Sequence, residues 1–165
     1  MEQFKYLEYP QIPYTSVKLY WITNYYDGPI SGILEHQGQR YRFDQCDEYE
    51  DIYEEDEKDE ESRRQREEDR QRMERNKKRG GTGWARRYII QELTPEQLKD
   101  EEYWHAQFEQ HVGTHWNCVD NKRQDVGTNV NAVKPGEEWN KFYDEYAKRV
   151  KPDYVNNKII GWYER

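Results

Sequence analysis

The stretch Arg87–Gly113, RYIIQELTPEQLKDEEYWHAQFEQHVG, changes character at Thr94, and that change decides the fold. Up to Leu93 it is β-branched and aromatic, the composition of a strand. Thr94-Pro95-Glu96-Gln97 then supplies a threonine N-cap, proline at the first helical position and glutamine at the third, which together make a capping box. The helix should run to about Val112 and stop at Gly113, burying Leu98, Trp104, His105, Phe108 and Val112. A strand feeding directly into a capped helix excludes an all-β or an all-α chain.

Working back toward the N-terminus, Val17, Leu19, Trp21, Thr23 and Tyr25 alternate with Lys18, Tyr20, Ile22 and Asn24. Period two with β-branched and aromatic residues reads as a strand. Gly32–His36 and Arg40–Phe43 flank Gln37-Gly38-Gln39, the mark of a tight hairpin. Between the first two strands lies NYYDGPISG, Asn24–Gly32, whose Asp-Gly-Pro core is turn chemistry first; a binding rim of Tyr25, Tyr26 and Asp27 is the sharper alternative.

Toward the C-terminus a second helix should begin near Pro135-Gly136 and end by Pro152. Glu137 and Glu138 suit its start, and Lys148 and Arg149 its end. Trp139, Phe142, Tyr143, Tyr146 and Val150 recur at spacings of three and four on one face. Lys158–Tyr163 reads as a closing strand. The expected architecture is therefore α+β: a curved, mainly antiparallel sheet of about five strands with two amphipathic helices on one side.

The middle of the chain does not fit that plan. Asp44–Glu61 carries a net charge of −11 and Ser62–Arg87 a net charge of +7, inside a chain of −8 overall. Met73 is the one strongly apolar side chain between Glu54 and Arg79, so no amphipathic stripe exists there. Asp59 with Arg63, Glu60 with Arg64, Glu68 with Arg72 and Glu74 with Lys78 are spaced to support a solvated helix, each pair contributing about 0.2–0.5 kcal/mol. Residues 47–83 thus read as a charged, helical or disordered insertion between two strands of a single domain spanning 1–165, removable without loss of the core.

Composition narrows function. Hydrophobic residues make up 33% of the chain and charged residues 36%, and the aromatics (25) outnumber Leu, Ile and Val together (22). Trp and Tyr left at a surface are the usual anchors of interfaces. No apolar run approaches the roughly 20 residues of a membrane span, and no secretory leader is expected of the first residues. Two cysteines with no metal-like spacing point to a reducing, cytoplasmic setting.

The chain contains no P-loop, dinucleotide fingerprint, Gly-x-Ser-x-Gly elbow or His-Glu-x-x-His. Its one concentration of catalytic residue types is His105, Glu109, His111, His115, Cys118 and Asp120. On a helix, residues 105 and 111 are about 600° apart, on opposite sides, so no metal site is expected. No cofactor is called for. The reading these features support is a non-enzymatic, inhibitor-type or protein-interaction chain. Its contact residues would be Tyr25, Tyr26 and Asp27 beside Trp162 and Tyr163, with Trp84, Arg86 and Arg87 from the charged arm. One alternative is a small hydrolase or nuclease using the His/Glu/Cys cluster. Another is RNA or single-stranded DNA binding through the basic half of the arm, where cations interleave with glycine and Trp84.

Overall fold

The structure, a computed structural model, describes residues 5–25, 28–48, 60–78, 86–124 and 135–165. Its elements are β1 (Val17–Tyr25), β2 (Pro29–His36), β3 (Gln39–Glu48), α1 (Glu60–Lys78), β4 (Arg86–Gln91) and α2 (Pro95–His111). β5 (Cys118–Val119), β6 (Lys122–Arg123), α3 (Pro135–Lys148) and β7 (Ile159–Glu164) follow. Five strands form an antiparallel sheet in the order β1-β2-β3-β4-β7, so the chain is α+β.

Local chemistry accounts for the joints. Gln37 and Gly38 both have positive φ (51° and 79°), the two-residue hairpin turn whose twist matches its strands. The Thr94 hydroxyl accepts from Gln97 N at 3.2 Å while Gln97 Oε1 accepts from Thr94 N at 2.9 Å, completing the capping box. β2 begins at Pro29, three residues earlier than the sequence implied, because Pro29 already pairs with Tyr25. Gly32 is required there: a Cβ at that position would lie 2.1 Å from Trp21 O. β3 likewise runs on to Glu48, paired with β4 as far as Arg86.

β1 departs from simple alternation. Register shifts between Leu19 and Trp21 and between Ile22 and Asn24 change its phase, so Leu19 and Trp21 join different clusters. One face of the sheet collects Val17, Leu19, Ile22, Leu34, Phe43, Tyr88, Ile90 and Tyr163, closed by Ile12 and Tyr14. The other, the helix face, carries Trp21 and Ile33 against Phe108, Val112, Trp116 and Phe142. Further along the same face, Ile89 and Trp162 pack with Tyr6.

Both outer edges are occupied. Along β1, Ile22 N donates to Trp116 O at 2.8 Å, and Asn121 accepts from Leu19 N at 2.8 Å and donates to Val17 O at 3.0 Å. Asn121 sits in the β5–β6 turn, where Asp120 and Asn121 both have positive φ. Along β7, Ile12 N and Trp162 N bond to Trp162 O and Pro10 O. Edges satisfied in this way do not template strand addition.

α1 has no apolar stripe in its sequence, and among its described side chains Arg72 turns inward. Arg72 is 6% exposed and lies 3.0 Å from Glu164 of β7 and 4.0 Å from Asp69. The anticipated Glu68–Arg72 pair is replaced by these contacts, because a carboxylate on the body offers a less solvated partner. Asp59 lies outside the described residues, as do the side chains of Glu60 and Lys78.

Candidate functional site

The helix face holds a cleft of about 560 Å³ between the ends of β1–β3, helices α2 and α3, and the segment Lys151–Tyr154. Its floor is Arg42 on β3. Arg42 Nε and Nη2 donate to Asp44 at 2.6 and 2.8 Å, and Nη1 donates to Glu101 Oε1 at 2.9 Å. The Tyr154 hydroxyl donates to the same Glu101 oxygen, and the guanidinium lies 4.0 Å from the Tyr154 ring centroid. The side chains of Arg42 and Glu101 are only 14% and 10% exposed.

Electrostatics follow from that burial. Desolvation works against the Arg42 charge, but Asp44 and Glu101 outweigh it and hold the guanidinium above its ordinary range. Burial pushes the Asp44 carboxyl up, opposed by Arg42. Burial and the adjacent Glu101 carboxylate push the Tyr154 hydroxyl well up, which keeps it a donor.

The sequence positions Tyr154 through side-chain amides rather than regular structure. Gln97, fixed by the capping box, donates to Asp153 O at 2.9 Å, and Gln91 donates to Tyr154 O at 3.1 Å. Asn157 ties the same segment to Glu92 O and Gln97 Oε1, both at 2.8 Å.

Aromatic rings form the walls and the rim. Trp104 meets Tyr146 edge-on at 5.3 Å. Tyr143 (45% exposed) lines the cleft beside Thr23 and Asn24, and Tyr25 (43% exposed) follows them on β1. Arg123 lies 4.4 Å over the Tyr25 ring, held by its Nε donating to His115 O at 2.7 Å.

The structure brings two of the anticipated contact residues together, Arg87 lying 5.2 Å over the Trp162 ring. Tyr25 stands on β1, the first strand in the sheet order, while Trp162 and Tyr163 stand on β7, the last. Trp162 is 8% exposed, with its Nε1 donating to Tyr9 O, and Tyr163 is fully buried between Tyr14 and Tyr88. Neither supplies surface: short apolar strands beside a capped edge are core. Arg87 binds Glu164 at 3.3 Å and the Tyr6 hydroxyl at 3.0 Å, and Arg86 reaches Pro29 O at 3.4 Å. Tyr26, Asp27 and Trp84 lie outside the described residues.

The histidine-rich segment divides in a comparable way. His105 stacks on Trp21 at 4.2 Å and its Nε2 bonds to Asn117 Oδ1, while Asn117 Nδ2 donates to Glu109 at 2.6 Å. His105 and Asn117 line a second groove of about 430 Å³, with Tyr20, Arg40 and Cys118. His115 is buried instead against Phe108, and burial, then Arg123, lowers its pKa below the ordinary 6.5. Burial raises the Cys118 thiol to about 11, so it is protonated at neutral pH and a poor nucleophile. Among the described residues, no three His, Cys, Asp or Glu side chains are placed to hold a metal ion. None of the described helices is long and apolar enough to cross a membrane.

Comparison with protein families, with curated proteins and with solved structures returned no match.

Proposed function

We propose that this protein acts by binding another protein, without catalysis, through the aromatic rim of the cleft beneath α2 and α3. The observation that carries the reading is exposed Tyr143 lining a concavity with Trp104, Tyr146 and Tyr154, and a second exposed tyrosine, Tyr25, following Thr23 and Asn24 of that lining on β1. Large amphipathic rings held on a rigid scaffold lose little entropy on binding, which is why they serve as interface anchors. Both sheet edges are occupied by the chain itself, so a partner is met by side chains rather than by an added strand. The exposed charges of α1, Arg63, Glu67, Arg70 and Glu74 among them, offer a second contact. The setting we propose is cytoplasmic: Cys46 and Cys118 are not joined in a disulfide.

Cross-linking capture with the full chain tests this. Wild type should retain a partner that Tyr25→Ala/Tyr143→Ala loses, the pair weakening binding by about 100-fold. Leu7→Ala, an exposed apolar change near β7, should retain it. Equal retention by wild type and the double variant would overturn the proposal, as would a wild type that retains nothing.

A further inference from the structure

The cleft also indicates what kind of group the partner presents, an inference that rests on the interaction reading above. Four rings border it: Trp104, Tyr143, Tyr146 and Tyr154. Two of them already carry guanidinium groups of this chain, Arg42 over Tyr154 at 4.0 Å and Arg149 over Tyr146 at 3.3 Å. These cations are not held alike. Arg42 is locked by three hydrogen bonds to Asp44 and Glu101, whereas Arg149, one residue past α3, donates to Tyr146 O and is otherwise held by the ring.

Acidic capacity is left over beneath them. Glu101 is nine-tenths buried, and Arg42 and Tyr154 both bond to its Oε1; its Oε2 accepts no hydrogen bond among the described residues. Asp100 lines the same cleft and forms no ion pair among the described residues. Arg42 spends one N–H of each of its three nitrogens within the chain, and its charge is matched by Asp44 and Glu101. Quadrupolar ring faces above an unspent carboxylate are the setting that binds a cation.

We infer that the cleft receives a cationic side chain, an arginine or a lysine of the partner protein, in the place that Arg149 now occupies. Arg149 acts as an internal competitor: it keeps the Tyr146 ring face covered until a partner cation displaces it. The opposite assignment, a carboxylate bound by Arg149 and Lys151, uses the two basic residues at the mouth and leaves Asp100 and Glu101 facing an anion.

The two assignments give Arg149→Ala opposite signs. The full chain is titrated with Nα-acetyl-arginine amide, Nα-acetyl-lysine amide and Nα-acetyl-glutamate amide, following the Trp104 indole N–H by NMR. The arginine probe should give a saturable shift in the millimolar range; Arg149→Ala should tighten it about threefold and Asp100→Asn weaken it about threefold. The glutamate probe should not saturate. Both changes fall on side chains outside the core, and the dispersion of the same spectra reports that each variant is folded. The inference is overturned if neither cationic probe binds Arg149→Ala, or if the glutamate probe binds and Arg149→Ala weakens it. Failure here with Tyr143-dependent capture intact removes only the cation, whereas loss of that capture removes the interaction reading itself.

Discussion

On one face of the sheet, Leu19, Leu34, Phe43, Tyr88, Ile90 and Tyr163 close against Ile12 and Tyr14 with tyrosine hydroxyls as their side-chain polar atoms. On the helix face, Arg42, Asp44, Gln91 and Glu101 lie between two aromatic clusters, each charge balanced by a neighbour. Both faces exclude water, but by different means. Apolar packing gains from every ring added and is indifferent to which ring arrives. An ion network gains only when every member is present, because a buried charge without its partner costs several kcal/mol. The first face is a stable platform; the second is selective about geometry, and it is the one that opens into a cleft.

That contrast is broken or sharpened first by paired truncations. Phe43→Ala on the apolar face should cost about 3–5 kcal/mol, since the ring is fully buried between Tyr88 and Tyr163 and its loss leaves a cavity. Arg42→Met on the helix face should cost about 3 kcal/mol, because Asp44 and Glu101 lose their counter-ion. Urea unfolding measures both. The distinguishing term is the double-mutant cycle: Arg42→Met with Glu101→Leu should show a coupling of at least about 1 kcal/mol, and Phe43→Ala with Glu101→Leu almost none. An additive Arg42/Glu101 pair would mean that the network is only decoration on a packed core.

The same contrast explains what could be read in the sequence. Strands, hairpin and helices were legible because each has a local cause: alternation in β1, though register shifts interrupt it, Gln-Gly at the turn between β2 and β3, the Thr94 capping box, and the Trp139–Tyr146 stripe of α3. The site was not. Arg40 and Arg42 alternate with Tyr41 and Phe43, which reads as a solvated face until α2 covers it. Trp162 and Tyr163 looked like a surface because nothing local says that Pro10–Ile12 will cap β7. Glu101 itself carries a signal: it falls on the α2 stripe Leu98-Glu101-His105-Phe108-Val112, a carboxylate in line with buried positions that needs a buried partner. Asp120-Asn121 was a second, since that dipeptide suits the positive φ of the β5–β6 turn.

A smaller effect distinguishes the faces by pH. The helix face includes His115, whose pKa is lowered by burial and then by Arg123, so folding favours its neutral form. Its contribution is fully present above about 6.5, the ordinary value, and is lost as pH falls from there through the lowered folded-state value. Wild type should therefore lose more stability than His115→Gln between pH 6.5 and 5, read as the difference between their melting temperatures across that range. Identical pH profiles would show that His115 titrates alike in the folded and unfolded chains. The apolar face should add nothing in this window, because the groups it buries, Tyr163 and the neighbouring Cys118, have their pKa values raised.

The smallest predicted effect lies within the apolar face, in two stacked tyrosines that differ by one hydrogen bond. Tyr88 and Tyr163 lie 4.9 Å apart at 14°, both almost wholly buried. The Tyr88 hydroxyl donates to Pro29 O at 2.9 Å, whereas the Tyr163 hydroxyl has no partner among the described residues. Removing the first should cost about 1 kcal/mol, and removing the second should return about 1 kcal/mol, since a buried unsatisfied hydroxyl carries its desolvation penalty into the fold. Tyr88→Phe and Tyr163→Phe are nearly identical changes in volume, so packing cancels between them and the sign isolates the hydrogen bond. Chemical denaturation with unchanged slope would measure both. If Tyr163→Phe destabilises as much as Tyr88→Phe, the Tyr163 hydroxyl has found a partner, and this face is not the purely apolar platform that the comparison requires.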